Sequence, residues 1–128
     1  MAKIAFFTKA TWEKKFIEDS LKTHPQFKKH TFKFIIGNLT KRTAKKAADC
    51  DIVSVFVHDN LHNDTLEQLP KLKMIATRST GYDHIDLDYC KKRKIIVCNV
   101  PVYGANTVAE HTFALLLSMS RKIPESVN

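Results

Sequence analysis

The residues Arg78-Ser79-Thr80-Gly81 follow a short apolar segment and have the chemistry of an anion-binding loop. Small side chains and a glycine directly after a buried strand let the backbone turn sharply, so that its amide hydrogens face a ligand. Such a group of amides suits a carboxylate or a phosphate, and Arg78 adds a charged donor beside it. A simple tight turn, with Gly81 at a positive φ, explains the same residues. The loop alone therefore leaves an anion site and an ordinary turn as alternatives.

Three other loops are expected to meet this one, because ligands of open parallel sheets bind beyond the carboxyl ends of the strands. They begin at Lys9-Ala10, at His58-Asp59-Asn60 and at Pro101-Val102-Tyr103-Gly104. His58 and Asp59 face the cleft either as a catalytic pair or as a polar rim, and a rim is the more ordinary interpretation. The six histidines show no zinc-like spacing with cysteine or carboxylate, so no metal site is predicted.

The elements that must position these loops alternate between β-rich apolar segments and amphipathic or charged segments. Strands are predicted over Lys3–Thr8, Phe32–Ile36, Ile52–Val57, Met74–Arg78 and Ile95–Asn99. Helices are predicted over Thr11–Thr23, Thr43–Ala48, Asp64–Leu69, Asp86–Lys94 and Thr107–Arg121. This alternation predicts an α/β fold, in which helices cover both faces of a parallel five-stranded sheet with the flavodoxin-like strand order 2-1-3-4-5. All strands but the mixed Phe32–Ile36 are apolar enough to be covered on both faces.

The helices carry more specific signals. Phe16, Ile17 and Leu21 form an apolar stripe on the first helix, and Asp86 is placed to cap the fourth. Thr107 and Glu110 have the spacing of a capping box at the start of the last helix.

The last helix is apolar almost all round, so it has to be covered by something outside the sheet domain or by a second copy of the chain. We therefore expect a homo-oligomer joined through residues 107–121. The chain divides into a sheet domain, residues 1–104, and a crossing helix, residues 105–128.

The composition limits the class of protein. The chain has 128 residues, which allow one domain or one domain plus part of another. It is 44% hydrophobic and 27% charged, which excludes a disordered tail, a collagen-like fibre and a disulfide-stapled miniprotein. Its three cysteines show no Cys-x-x-Cys spacing. No apolar segment is long enough for a signal peptide or a membrane span, and a cytoplasmic protein is expected.

The net charge of +8 raises the question of nucleic-acid binding. The lysines and arginines lie mostly on the polar faces or in the last turns of predicted helices, and no aromatic stacking platform lies among them. A solvated basic surface is the simpler interpretation.

Two longer segments resemble the signatures of the D-isomer-specific 2-hydroxy-acid dehydrogenases. Residues 74–86 read MIATRSTGYDHID, and residues 99–111 read NVPVYGANTVAEH. Their order and spacing are similar to those of the D-lactate dehydrogenase branch. The resemblance covers the whole chain and is most specific in residues 74–121. It implies a flavodoxin-like substrate-binding, or catalytic, domain, whose last helix crosses toward a separate NAD-binding domain.

The resemblance also implies roles for single residues. The backbone of Ser79, Thr80 and Gly81 would hold the substrate carboxylate, and Tyr103 would line the substrate pocket. Thr107 would approach the cofactor near its nicotinamide. Together with Arg78, which the chemistry of the loop adds to the substrate-binding set, these residues are the predicted site.

The cofactor half of the chemistry is missing from this sequence. A dinucleotide site needs Gly-x-Gly-x-x-Gly, which Gly37, Gly81 and Gly104 cannot form. The family's catalytic arginine, glutamate and histidine lie downstream of the residues present, and His111 is interpreted as a helix or interface residue. We therefore expect no catalytic residue, no bound NAD and no turnover in this chain.

The prediction is a truncated N-terminal domain of an NAD-dependent D-2-hydroxy-acid dehydrogenase. It would bind a small 2-oxo or 2-hydroxy acid such as pyruvate or lactate weakly. Two alternatives stay open. One is a non-catalytic interaction module that self-associates through helix 107–121, and the other, less favoured, is a basic nucleic-acid-binding domain. The acid used and the choice between NAD and NADP are not predicted.

Overall fold

The computed structural model describes residues 1–127 and is built on one parallel sheet. Its strands are β1 (Lys3–Thr8), β2 (Thr31–Ile36), β3 (Ile52–Val55), β4 (Met74–Thr77) and β5 (Ile96–Cys98). Their order is β2-β1-β3-β4-β5, and every neighbouring pair is parallel. The predicted α/β class and the order 2-1-3-4-5 are confirmed. The last three strands are shorter than predicted, so Arg78 already belongs to the loop that follows β4.

The helices are α1 (Thr11–Lys22), α2 (Asn63–Leu66), α3 (Leu87–Lys92), α4 (Ala105–Ser120) and α5 (Ile123–Val127). Two further turns, Pro25–Phe27 and Ala44–Ala47, are 3-10 helices, and the second replaces the helix predicted over Thr43–Ala48. The predicted cap of α3 is confirmed, because the Asp86 carboxylate accepts a hydrogen bond from the Tyr89 amide at 2.9 Å. No helix among residues 1–127 is long and apolar enough to cross a membrane.

The predicted capping box at the start of α4 is wrong. The helix begins at Ala105, and Gly104 occupies the cap position without a side-chain hydrogen bond. Thr107 therefore lies inside the first turn and not at the cap position. The early start arises because Ala105 and Asn106 continue the helix toward the preceding loop.

The core is formed by the central strands and by the loops and the short α2 beside them. Its fully buried side chains include Val53, Val55, Ile75, Leu61 and Leu66. β1, β3 and β4 lie in the middle of the sheet. β3 is buried on both faces, whereas buried and partly exposed side chains alternate along β4 and most of β1. This core fixes the strand ends from which the functional loops emerge.

The predicted coverage of β5 is wrong, and the apolar stripe of α1 is covered only in part. No residue of α1 is buried, and Phe16, predicted to lie in its apolar stripe, is 68% exposed. β5 was predicted to be covered on both faces, but Ile96 is 62% exposed. The physical reason for β5 is its position at the sheet edge, where it has one strand neighbour.

α4 is exposed along its whole length. Phe113, Leu116 and Met119 are among its exposed apolar side chains, and Met119 is 79% exposed. No residue of this helix is buried by another part of the described chain. The predicted interface through residues 107–121 and the division at residue 104 stay predictions, and Asn128, the end of the predicted crossing segment, lies outside the described residues.

Candidate functional site

The loop after β4 lies between the loops that follow β3 and β5. Residues of the three strands are aligned across the sheet, with Val53 opposite Ile75 and Ile75 opposite Val97. The strands therefore end at similar heights, and the segments that follow them meet at one edge. We call residues 78–83 the β4 loop.

Three consecutive carbonyl groups of the β4 loop are held from within the protein. The Ser79 carbonyl accepts a hydrogen bond from the Val100 amide at 3.0 Å. The Thr80 carbonyl accepts one from the Asn99 side-chain amide at 2.9 Å. The Gly81 carbonyl accepts one from the Ser79 hydroxyl at 2.8 Å. Three consecutive peptide groups are thus fixed in orientation.

The amide hydrogens of the same loop are free. Within residues 1–127, the amides of Ser79, Thr80 and Gly81 donate to no protein acceptor, although the preceding Arg78 amide still bonds to the Val55 carbonyl at 2.9 Å. In a trans peptide group the C=O and the following N–H point in opposite directions. Holding the Ser79, Thr80 and Gly81 carbonyls therefore directs the amides of Thr80, Gly81 and Tyr82 away from those partners. The result is a short run of pre-oriented donors, which suits a carboxylate or a phosphate.

Gly81 does not have the backbone conformation predicted for an ordinary turn. Gly37, with φ at 114°, is the glycine with a positive φ, and Gly81 is not. A Cβ added at Gly81 would meet the Asp83 carboxylate at 3.8 Å, an ordinary contact, and no closer atom. The glycine is therefore required neither by backbone strain nor by internal crowding. This favours the anion-site interpretation, in which a ligand needs the space.

Thr80 and Tyr103, two residues of the predicted site, line the same cleft. Its volume is about 420 Å³, and its walls are Thr80, Pro101, Val102, Tyr103, Gly104, Ala105 and Val108. Tyr103 is 71% exposed on the open side of the cleft. Thr107 does not line the cleft, although its neighbour Val108 does. The structure therefore brings Thr80 of the β4 loop and Tyr103 together, and the first turn of α4 lies at the same cleft. Ser79 and Gly81 do not line this cleft.

Arg78 points its guanidinium at groups inside the domain. The side chain donates to the Ser54 hydroxyl and the Phe7 carbonyl, each at 2.8 Å, and forms an ion pair with Glu13 at 3.0 Å. These contacts tie β1, β3 and α1 to the end of β4. A contact between Arg78 and a substrate stays a prediction, and the substrate would have to compete with Glu13 for this cation.

A second cavity, of about 540 Å³, lies beside Arg78 and contains both His58 and Asp59 in its lining. The His58 side chain is exposed, whereas Asp59 is buried. One oxygen of Asp59 accepts from the Leu39 amide and the other from the Phe56 amide, each at 2.6 Å. Burial raises the pKa of Asp59, and the two amide donors oppose that change. Asp59 is therefore a structural clamp between two loops.

Sequence reasoning missed this clamp and the side chains that hold the β4 loop. Asp59 was interpreted as part of a catalytic pair or of a rim, because an acidic residue after a strand is usually exposed. The available signal was its place two residues after an apolar segment, which favours a turn closed by its own side chain. Asn99 and His84 gave no comparable local signal, because their partners lie 19 and 7 residues away.

The residues present do not fit a dinucleotide or a metal. The three glycines lie in separate loops, and none belongs to a Gly-x-Gly-x-x-Gly segment. In the part of the chain that the structure describes, no three His, Cys, Asp or Glu side chains converge on one point. In the described residues, the carboxyl edge offers free backbone amides as hydrogen-bond donors.

Comparison with known proteins identifies the family of the chain. Residues 4–125 match the family described as D-isomer specific 2-hydroxyacid dehydrogenase, catalytic domain. The D-lactate dehydrogenase of Escherichia coli is 33% identical over 123 residues, which are 94% of this chain and 36% of that protein. A 2-hydroxyacid dehydrogenase homolog of Schizosaccharomyces pombe is 39% identical over the same share of both chains, 94% and 36%.

Among solved structures, the D-lactate dehydrogenase of Aquifex aeolicus, complexed with NAD and lactic acid, superposes with a TM-score of 0.80 at 35% identity. The match covers 97% of this chain and 36% of that one. The chain thus spans little more than a third of these relatives. With a family match over residues 4–125, the chain belongs to the D-isomer specific 2-hydroxyacid dehydrogenases and corresponds to their catalytic domain.

Proposed function

We propose that this chain is the substrate-carboxylate-binding part of an NAD-dependent D-2-hydroxy-acid dehydrogenase. The substrate would be a small 2-oxo or 2-hydroxy acid, such as pyruvate or lactate. The observation that carries the proposal is the run of free amides at Ser79, Thr80 and Gly81, which no group of residues 1–127 occupies. Charge-assisted hydrogen bonds from such amides are the usual way to hold a carboxylate without a metal.

The remaining predicted roles fit this arrangement. Tyr103 shares a cleft with Thr80, so its ring would cover the substrate beyond the carboxylate. Thr107 lies in the first turn of α4, near the same cleft, and would approach the cofactor of the complete enzyme. Burying one face of a small acid against amides and an aromatic ring selects for size and charge, and leaves the other face to a second domain.

Turnover is not expected of the 128 residues alone. The family's redox chemistry needs NAD, and the glycines of this chain do not form a site for it. The E. coli and A. aeolicus relatives are much longer, since this chain covers 36% of each. We propose that the active enzyme requires a nucleotide-binding domain as well, and that it works in the cytoplasm, where the three free cysteines would stay reduced.

A titration of the isotope-labelled chain with pyruvate tests the proposed function. We expect amide shifts that cluster at residues 79–82 and at Tyr103, with a dissociation constant of about 1 mM or weaker, because the cleft is open on one side. Pyruvamide, which has the same shape without the charge, is the matched control and should bind at least several-fold more weakly. Shifts centred on the cavity beside Glu13 would contradict the site. Oxidation of NADH by the chain alone on addition of pyruvate would contradict the expected inactivity.

Self-association is the second candidate function, and the exposed apolar surface of α4 favours it. Phe113, Leu116 and Met119 lie on this helix without partners in the described chain. We propose that two copies pair through residues 107–121, since exposed apolar area of this kind is unusual on a monomer. Light scattering across a wide range of concentration should show a dimer. The double substitution L116E/M119E should return a monomer with an unchanged sheet. A monomer at all concentrations would contradict the pairing.

A further inference from the structure

A chain of three side chains lies directly under the β4 loop. The His84 Nε2 atom is 3.3 Å from the Thr77 hydroxyl, and the Thr77 hydroxyl is 2.6 Å from the Ser79 hydroxyl. The Ser79 hydroxyl then donates to the Gly81 carbonyl at 2.8 Å. Thr77 and Ser79 are buried, so water does not compete for their hydroxyls.

We propose that His84 is a positioning residue for substrate binding, which acts through Thr77 and Ser79 to hold the β4 loop in its anion-binding shape. The inference rests on the proposed function, because it names how the same loop is prepared for a carboxylate. His84 reaches no atom of the cleft itself, since it does not line it. Its effect on a ligand would pass through the turn that Ser79 closes onto Gly81.

The direction of every hydrogen bond in this relay follows from counting protons. The Gly81 carbonyl can only accept, so the single Ser79 hydroxyl proton is used there. The Ser79 oxygen must then accept from Thr77, which uses the single Thr77 proton. The Thr77 oxygen must in turn accept from His84. The relay therefore requires a hydrogen on the Nε2 atom of His84, and it assigns the neutral ring to the Nε2–H tautomer.

A neighbouring loop holds the backbone of His84, and the role of the ring does not depend on its charge. Its carbonyl accepts a hydrogen bond from the Leu61 amide at 3.0 Å, which joins the β4 loop to the loop after β3. Burial lowers the pKa of His84, the carboxylates of Asp59 and Asp83 raise it, and His62 lowers it further. A protonated ring also carries a hydrogen on Nε2, so the relay has the same direction in both charge states.

The test compares two substitutions of His84. Glutamine keeps an N–H donor near the position of Nε2, whereas leucine removes the donor. We expect H84L to weaken pyruvate binding about three- to tenfold, the effect of one net hydrogen bond, and H84Q to stay within about twofold of the parent. The amide resonances of Ser79, Gly81 and Tyr82 should move in H84L and stay near their positions in H84Q.

Two further measurements separate positioning from a merely structural role. Nitrogen-detected spectra of the labelled imidazole should show the Nε2–H tautomer of His84. In the background of T77V, which breaks the relay at its middle, H84L should weaken binding no further. Unchanged resonances in strands β1 and β2 control for folding in every variant.

Three results would overturn the proposal: an Nδ1–H tautomer, pyruvate binding by H84L as tight as by the parent, or an undiminished effect of H84L in the T77V background. A failure of the proposed function would give a different experimental result. In that case the parent chain would show no pyruvate-dependent shifts at residues 79–82. The tautomer and the amide resonances of H84L and H84Q would still decide whether the relay holds the loop.

Discussion

Replacement of Asp59 by asparagine is expected to lower the free energy of unfolding by about 3 kcal/mol, as much as replacement by alanine. Each Asp59 oxygen accepts a backbone amide, from Leu39 and from Phe56, at 2.6 Å in a buried position. An asparagine offers one oxygen and one NH₂ group, so a donor would face a donor at one of the two amides. The similar shapes of asparagine and aspartate therefore do not preserve the stability of the fold at this position.

Chemical denaturation of the three proteins measures this effect as a shift of the unfolding midpoint at constant slope. Asn38→Ala is the matched control, because Asn38 lies in the same region, is partly exposed and makes one side-chain bond, to the His58 carbonyl at 3.2 Å. We expect the control to change the unfolding free energy by about 0.5 kcal/mol or less. A D59N protein that unfolds at the parent's midpoint would show that the clamp does not stabilise the fold.

The sheet was predictable from the sequence because its signal is local and repeated. Segments such as 52–55 and 74–77 are mostly apolar, and such segments alternate with polar ones. Right-handed crossovers then leave few strand orders, and the observed one is among them. The exposed fraction of each strand side chain was not predictable in the same way. Ile96 is as apolar as Ile75, but Ile96 lies on an edge strand and Ile75 in the centre. The hydrophobicity of a residue indicates a preference for burial. It does not determine which parts of the fold cover that residue.

The site was predictable in part for the same reason. A loop of small residues with a glycine directly after a buried strand is visible in the sequence, and the anion binding that we propose for it follows from free amides. The orientation of those amides depends on Asn99 and Val100, which lie about twenty residues farther along the chain. For Arg78, the structure shows a partner that the sequence did not predict. Its charge predicted a ligand contact, and the fold supplied Glu13 as a partner from 65 residues away.

Replacement of Gly81 by alanine is expected to abolish most of the pyruvate binding and to leave the fold intact. The φ of Gly81 is not positive, and the new Cβ would meet no atom closer than the Asp83 carboxylate at 3.8 Å. We therefore expect the free energy of unfolding to change by about 0.5 kcal/mol or less. The methyl group would project into the open space beside the free amides, where a carboxylate has to approach. Loss of two charge-assisted hydrogen bonds should weaken pyruvate binding at least about tenfold.

Gly37→Ala is the matched control and should give the reverse pattern. Gly37 has a φ of 114°, which an alanine adopts only with strain, so we expect a loss of about 1 kcal/mol in unfolding free energy. It lies in the loop after β2, away from the cleft of Thr80 and Tyr103, so pyruvate affinity should not change. Titration and denaturation of the two variants thus separate a glycine kept for conformation from one kept for a ligand. Pyruvate binding by G81A at the parent's affinity would mean that the carboxylate does not approach these amides, and the proposed site would be wrong.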